Sequence, residues 1–484
     1  MPQTITLSFS QVANQLTTHF NNFQEDRFYK DAANYDNYTH IVPKSIANSK
    51  TISNLYPRSV LFDYANGSGA LDPKAGFQPD PAPSLALYEY EKIQTAPQIT
   101  PNAYQKALTM GETPDVDEKV QVDEERTDYW SDFSRLTYNP SLLLTHPDFN
   151  YDVETGEGIG KNILTNKFQS HQLGIDSFHS VEKFKDCVDD SIRKSFEEAN
   201  NVSQVNAVVE LDSAWSGVCS ETLRYVIEDQ SDGKGSKVMI WSLQRDGQYV
   251  SSCNNSNKLD RIRKLLSLVM SEAGGIVSLN LDSDIPLLQN KNSVWEKTAF
   301  LSLPFDFFNS IKDNDIGGIS HQLTDGGLRR FINEVKLDWS PETVLDLGCK
   351  DIFSPSKADK RDPHVFSRSV VASMDSDGCR VGKFSNFEQL VETGTPRIYL
   401  QTSKSRYSYE FVDTLPAAMK EAKIDAVSLG VTSSSKNNFT DMHDFVSRFC
   451  RTDEREELKD NLDNLREAYT FGYELSDEEE DDNY

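Results

Sequence analysis

The chain has 484 residues, 37% hydrophobic and 10% aromatic, the composition of a folded protein of two or three domains rather than a disordered one. Its formal net charge of −27 repels nucleic acid and anionic membranes, and only small basic clusters such as Lys357, Lys360 and Arg361 oppose it. Direct binding of DNA, RNA or lipid is therefore not expected, and any such role would run through a protein partner.

Six cysteines (187, 219, 253, 349, 379 and 450) contain no CxxC pair, which fits reduced thiols better than a zinc ribbon or disulfide framework. No apolar run approaches bilayer length, so no transmembrane segment is expected. The first twenty residues lack Lys and Arg, the opposite of a signal peptide or mitochondrial presequence, and the expected location is the cytosol or the outer face of an organelle.

Ile5, Leu7 and Phe9 alternate with Thr6 and Ser8, the period of a half-buried strand. From Ser10, a candidate N-cap, the period becomes helical, with Val12, Leu16, Phe20 and Phe23 on one face. A polar stretch over 27–54 leads to Val60, Leu61 and Phe62, a short buried strand closed by Asp63 and the turn Asn66-Gly67-Ser68-Gly69. Residues 91–126, with several prolines and "TPDVDEKVQVDEER", read as an acidic loop insertion.

A helix over 181–199, a strand over 205–211, a helix from about Glu221 and the strand "KVMIWSL" make an α/β alternation, whose ligands bind at the carboxyl ends of the strands. "NKLDRIRKLLSLVMSEAGG" carries the stripe Leu259, Ile262, Leu265, Leu266 and Val269, with Gly274 to stop it, and would sit between two domains. Beyond it come a strand "GIVSLNL", a helix from Trp295 to Phe308, a helix "DGGLRRFINEV" and strands "TVLDLG", "RIYLQT" and "DAVSLGV". The closing helix starts near Glu454, with Asp453 as cap, Glu456 in the capping-box place, and Leu458, Leu462, Leu465 and Tyr469 as its apolar face. The expected organisation is an α/β domain over 1–250, a connecting helix over 251–275, a second α/β domain over 276–473, and a disordered acidic tail over 474–484.

"GEGIGKN" at 156–162 departs from a P-loop. Thr155 stands at the first glycine, Asn162 at the Ser/Thr magnesium ligand, and no strong strand precedes it, so it reads as a flexible glycine-rich loop. The eight histidines show no short metal-ligand spacing, and His19 is expected on a polar helix face. No GxSxG elbow or Cys–His pairing is present. Ser476, followed by Asp477, Glu478 and Glu479, has the surroundings that acid-directed kinases prefer and is a candidate phosphorylation site.

"ITLSFSQVANQLTTHF" resembles the first strand, phosphate turn and first helix of tubulins. Gln11, Asn14 and Gln15 match that family's GQ-x-GNQ motif, while Ser10 and Ala13 stand where glycines should. "YPRSVLFDYANGSGAL" is similar to a second tubulin segment through Pro57, Arg58, Asp63 and Gly67, with Ala65 in place of the acidic magnesium helper. Together with "YWSDFSRLTYNP", "LDSAWSGV" and "DEREELKDNLDNLREAYTFGYE", these blocks resemble the Misato proteins, a tubulin-related family that fungi link to mitochondrial partitioning and inheritance of mitochondrial DNA. The likeness runs from residue 4 to about 474 and is weakest over 310–440.

The resemblance implies a tubulin/FtsZ-like fold with a Rossmann-like N-terminal nucleotide-binding-type domain. It also implies a degenerate nucleotide site of which Gln11, Asn14, Gln15, Asp63 and Gly217 are the remnant. Tubulins cradle phosphates with GGGTGSG, whereas this chain has "DSAWSGVCS", in which Asp212 adds negative charge and Trp215 adds bulk. Asn280-Leu281-Asp282 shares the core of the tubulin loop that assists hydrolysis, but in surroundings that read as a strand end.

The expected function is that of a non-catalytic, pseudo-GTPase member acting through protein partners at the cytoskeleton or mitochondrial surface, with no cofactor or metal. A chaperonin enters as a partner by analogy with tubulin folding. The alternatives are a divergent GTP-binding, polymerising GTPase and a metabolic enzyme on a reused scaffold.

Overall fold

The computed structural model describes residues 3–30, 39–45, 53–71, 99–110, 122, 127–180, 182–230, 235–311, 316–340, 343–355, 363–372, 397–402, 409, 412–420 and 423–471. The first half contains β1 (Gln3–Phe9), α1 (Gln11–Lys30), β2 (Ile41–Ser45), β3 (Ser53–Pro57), β4 (Ser59–Ala65), α2 (Ala103–Met110), β5 (Leu143–Asp152), β6 (Glu157–Gly160), α3 (His171–Ser180), α4 (Glu182–Glu197), β7 (Val202–Glu210), α5 (Trp215–Tyr225) and β8 (Val238–Gln244). After α6 (Gly247–Ser252) and α7 (Asn255–Met270) come β9 (Gly275–Asn280), α8 (Val294–Asn309), α9 (Ile316–Leu323), β10 (Phe331–Ile332), β11 (Glu334–Ser340) and β12 (Thr343–Asp346). The chain continues through β13 (Val365–Ala372), β14 (Arg397–Thr402), α10 (Ala417–Lys420), β15 (Lys423–Thr432), α11 (Ser435–Phe449) and α12 (Arg455–Ala468).

Among the described residues one sheet has the order β10-β9-β8-β7-β1-β4-β5-β6, parallel throughout except for the β5–β6 hairpin. Strand β1 lies between β4 and β7, from which the chain winds outward in opposite directions, and the crevice at that switch point is where α/β sheets place ligands. A second sheet, β12-β11-β15-β13-β14, is antiparallel apart from the β13–β14 pair. The large sheet takes β9 and β10 from beyond residue 274, and one hydrophobic core runs through both sheets.

Strand β1 is buried on both faces, polar Thr4, Thr6 and Ser8 included, because a central parallel strand is covered from both sides. The alternation therefore marks two kinds of core neighbour, not core and solvent. Helix α1 is likewise enclosed, packing on β1, β4, β7 and α8. His19, expected on a polar face, is fully buried: Nε2 lies 3.2 Å from the Trp295 carbonyl and the ring stacks on Phe133. Burial lowers its pKa to about 3, so it stays neutral.

Four further expectations are corrected. Helix α5 starts at Trp215, six residues before Glu221. The helix expected over 325–335 is a turn followed by β10 and β11, because Asp325, Gly326 and Gly327 all hold positive φ, which no α-helix tolerates. Helix α7 ends at Met270, and Glu272 rather than Gly274 takes the left-handed position. Helix α12 has Glu454 as its N-cap residue with no side-chain cap bond, in place of the Asp453 capping box.

Within the expected 91–126 loop, α2 is a helix whose Tyr104 is buried and donates its hydroxyl to Asp413. The rest of that loop lies mostly outside the described residues, as do Lys357, Lys360, Arg361, Ser476 and the acidic tail. The five described cysteines are unpaired, and no helix among the described residues is long and apolar enough to cross a membrane.

Candidate functional site

The chain leaves β1 through Ser10, whose φ of 109° is a conformation that favours glycine. The Ser10 side chain caps α1, its Oγ accepting the Ala13 N–H at 3.2 Å, while the Asn14 N–H donates to the Ser10 carbonyl at 2.9 Å. Asn14 ties α1 to β4 by donating Nδ2 to the Phe62 carbonyl at 3.1 Å. Gln11 donates Nε2 to both carboxylate oxygens of Asp63 at 2.9 Å and to the Gly67 carbonyl at 2.5 Å.

Asp63 also accepts the Trp130 indole N–H and the Tyr64 backbone N–H, each at 2.7 Å. A Cβ on Gly67 would lie 2.2 Å from Asp63 Oδ1, so only glycine lets this turn close. Burial pushes the Asp63 carboxyl up to about 7 against the opposing pull of its donors. At the end of β7, burial likewise raises Glu210 to about 7, with the Ser10 hydroxyl working against the shift and Asp212 adding to it. Two carboxyls with raised pKa values thus flank the crevice where a phosphate-binding fold presents bare backbone N–H groups.

The second half of the crevice is filled. After β7 the helix α5 uses its first N–H groups within the chain: Trp215 N donates to Ser213 Oγ, Ser216 N to the Ser213 carbonyl, and Gly217 N to the Ala214 carbonyl. The Ala214 N–H goes to the Phe168 carbonyl. Trp215 is 0% exposed, with ring centroids 5.3 Å from Tyr64, 5.1 Å from Phe168 and 6.1 Å from His146. The Asp212 carboxylate is held by the Arg261 guanidinium and by the Arg245 N–H at 2.9 Å, and Lys264 donates to its carbonyl at 3.0 Å. Arg261 and Lys264 come from α7, so the connecting helix supplies the charges that balance Asp212.

Of the residues singled out from sequence, Gln11, Asn14 and Asp63 meet in one network. Gln15 points instead to α8, where Thr298 Oγ1 donates to its Oε1 at 3.5 Å. Gly217 lies in the crossing of α3 and α5, where an added Cβ would sit 2.6 Å from the His171 carbonyl. Asp282 accepts Arg245 Nε and the Asp246 N–H, both at 3.1 Å, and its own N–H is taken by Asn280 Oδ1 at 2.9 Å. That carboxylate therefore faces its own chain, and Asn280 ends β9 as its surroundings suggest.

The "GEGIGKN" segment is not a flexible loop. It forms edge strand β6, and Gly158 gives Tyr64 room to pack, a Cβ there falling 2.1 Å from the ring. Trp130, Glu210 and Arg261 complete the site and were missed as site residues. The only signal for Trp130 was its place in the aromatic block "YWSDF".

Residues 3–110 match the family described as the Misato Segment II tubulin-like domain, and residues 119–308 match the Tubulin domain. The expected tubulin-like α/β fold is thereby borne out. Full-length relatives include proteins named Protein DML1 from three yeasts. The Yarrowia lipolytica protein is 24% identical over 504 residues, covering 100% of both chains. The Debaryomyces hansenii protein is 25% identical over 512 residues, again 100% of both, and the Kluyveromyces lactis protein is 25% identical over 492 residues, 98% of both.

Proposed function

The chain belongs to the Misato family of tubulin-like proteins, and from that premise we propose that it is a non-catalytic, pseudo-GTPase member that acts by binding protein partners. Its field of action in this reading is mitochondrial partitioning and the inheritance of mitochondrial DNA, from the cytosol or the outer mitochondrial face. The observation that carries the non-catalytic part is Trp215, wholly buried among aromatic side chains at the start of α5, beside an Asp212 already balanced by Arg261. A triphosphate entering there would displace an indole and face Asp212, Asp63 and Glu210, with the first N–H groups of α5 already used within the chain. Partners at the cytoskeleton or the mitochondrial surface, and a chaperonin during folding, follow from the family likeness. With a net charge of −27, an effect on mitochondrial DNA runs through such partners.

The test is release of nucleotide from denatured purified protein, together with titration of GTP and magnesium. No bound nucleotide and no binding at millimolar GTP is the expected result. Stoichiometric guanine nucleotide would overturn it in favour of a divergent GTP-binding protein. Depletion of the protein in its own cells should give unequal mitochondrial distribution between daughters, and normal distribution would overturn the mitochondrial part.

A further inference from the structure

The turn that closes the crevice after β4, Asn66-Gly67-Ser68-Gly69, holds the chain's single Asn-Gly pair. Asn66 is exposed and sits at a φ of 65°, the left-handed state that asparagine tolerates better than most residues with a side chain. Its carboxamide makes no hydrogen bond among the described residues, while Gly67, the next residue, is buried. Among the described residues the peptide between them is held by two backbone bonds. The Gly67 N–H donates to the Tyr64 carbonyl at 3.0 Å, and the Gly69 N–H to the Asn66 carbonyl at 3.3 Å.

Asparagine followed by glycine is open to attack by its own backbone, because the glycine nitrogen reaches the side-chain carbonyl with no Cβ in the way. An unbonded carboxamide on an exposed turn meets that condition, and a turn held by two bonds opens locally at little cost. In the reaction the Gly67 nitrogen loses its proton and bonds to Asn66 Cγ, and the side-chain nitrogen leaves as ammonia. Water then opens the five-membered imide at either carbonyl. Opening at the backbone carbonyl routes the chain through the former side chain, as isoaspartate, which lengthens the backbone by one methylene and leaves a carboxylate. Water is the one co-reactant.

The crevice network rests on this turn. The Gly67 carbonyl accepts Gln11 Nε2 at 2.5 Å, and the same nitrogen donates to both oxygens of Asp63 at 2.9 Å. A Cβ on Gly67 would lie 2.2 Å from Asp63 Oδ1 and 2.4 Å from Gln11 Nε2, so the turn has no room for another carbon. The product also adds a negative charge to a segment that already carries the buried Asp63. We propose that Asn66 is a spontaneous deamidation site whose isoaspartyl product draws Gly67 away from Gln11 and opens the crevice at the end of β4.

The test ages the purified full chain beside a peptide of residues 61–71 in the same mildly alkaline buffer. Isoaspartate is counted, after denaturation, by methyl transfer from S-adenosylmethionine with a protein isoaspartyl methyltransferase, and located by mass spectrometry. Residue 66 of the folded chain should convert within about tenfold of the peptide's rate, and the modified fraction should unfold at a lower temperature than fresh protein. Asn66→Gly suits the positive φ and removes the carboxamide, so it should keep its unfolding temperature on ageing. A chain still unmodified at residue 66 when the peptide is fully converted would overturn the proposal. So would a modified chain with an unchanged unfolding temperature, or an equal loss on ageing in Asn66→Gly. None of these readouts involves nucleotide, so the outcome is separable from that of the nucleotide test.

Discussion

Ser10 carries a Cβ at a φ of 109°, a backbone state whose cost the surrounding bonds must offset. Its hydroxyl does so by capping α1 through the Ala13 N–H. Ser10→Ala keeps the strain and loses the cap, whereas Ser10→Gly loses the cap but relieves the strain. Chemical denaturation should therefore find Ser10→Ala the less stable of the two by about 1–2 kcal/mol.

The neighbouring Asp63 makes a pH prediction. Its folded pKa of about 7 lies above the ordinary carboxylate value, so between about pH 4 and pH 7 the folded chain binds a proton that the unfolded chain has released. Its contribution to stability is thus full at low pH and is lost as pH rises through 7. Asp63→Asn should remove this dependence: the unfolding temperature of the unsubstituted chain minus that of the variant should decline from pH 4 to 7 and be flat above.

At the scale of elements, the α3–α5 crossing shows why the expected phosphate loop became packing. Gly174 and Gly217 let the helices approach until an added Cβ on Gly174 would lie 2.0 Å from the Ala214 carbonyl. The segment that would otherwise present free N–H groups is thereby pressed against a neighbour, and its donors are spent on Phe168, Ser213 and Ala214. Backbone cannot move aside as a flexible side chain can, so Gly174→Ala should cost about 3 kcal/mol, read as a lowered unfolding temperature. The turn at 325–327 makes the complementary point: three successive residues with positive φ end a pattern whose spacing of apolar residues looked helical.

For the molecule as a whole, buried neutral histidines set acid sensitivity. Burial lowers His19 to about 3 and both His146 and His171 to about 4, so each contributes stability above pH 6.5 that is lost as pH falls through the folded value. Asp63 and Glu210 act in the opposite sense over part of this range, which makes a variant comparison the clean measurement. His19→Gln retains a donor for the Trp295 carbonyl without a group that must protonate. Its stability deficit, measured by thermal unfolding at pH 7 and at pH 4.5, should shrink at the lower pH.

Local pattern was enough for much of this protein, because periodicity and turn residues act over a few neighbours. The strands β1, β4, β7, β8 and β9 and the helices α4, α7 and α8 were legible in that way, whereas the grouping of Gln11, Asn14 and Asp63 followed from the resemblance to tubulins. What the crevice holds was decided only in three dimensions. Trp130 reaches Asp63 from 67 residues away, Arg261 reaches Asp212 from 49, and the burial that makes His19 neutral depends on α8, 276 residues on at Trp295. Hydrogen-bond satisfaction and desolvation are properties of the assembled neighbours, and no window along the chain contains them.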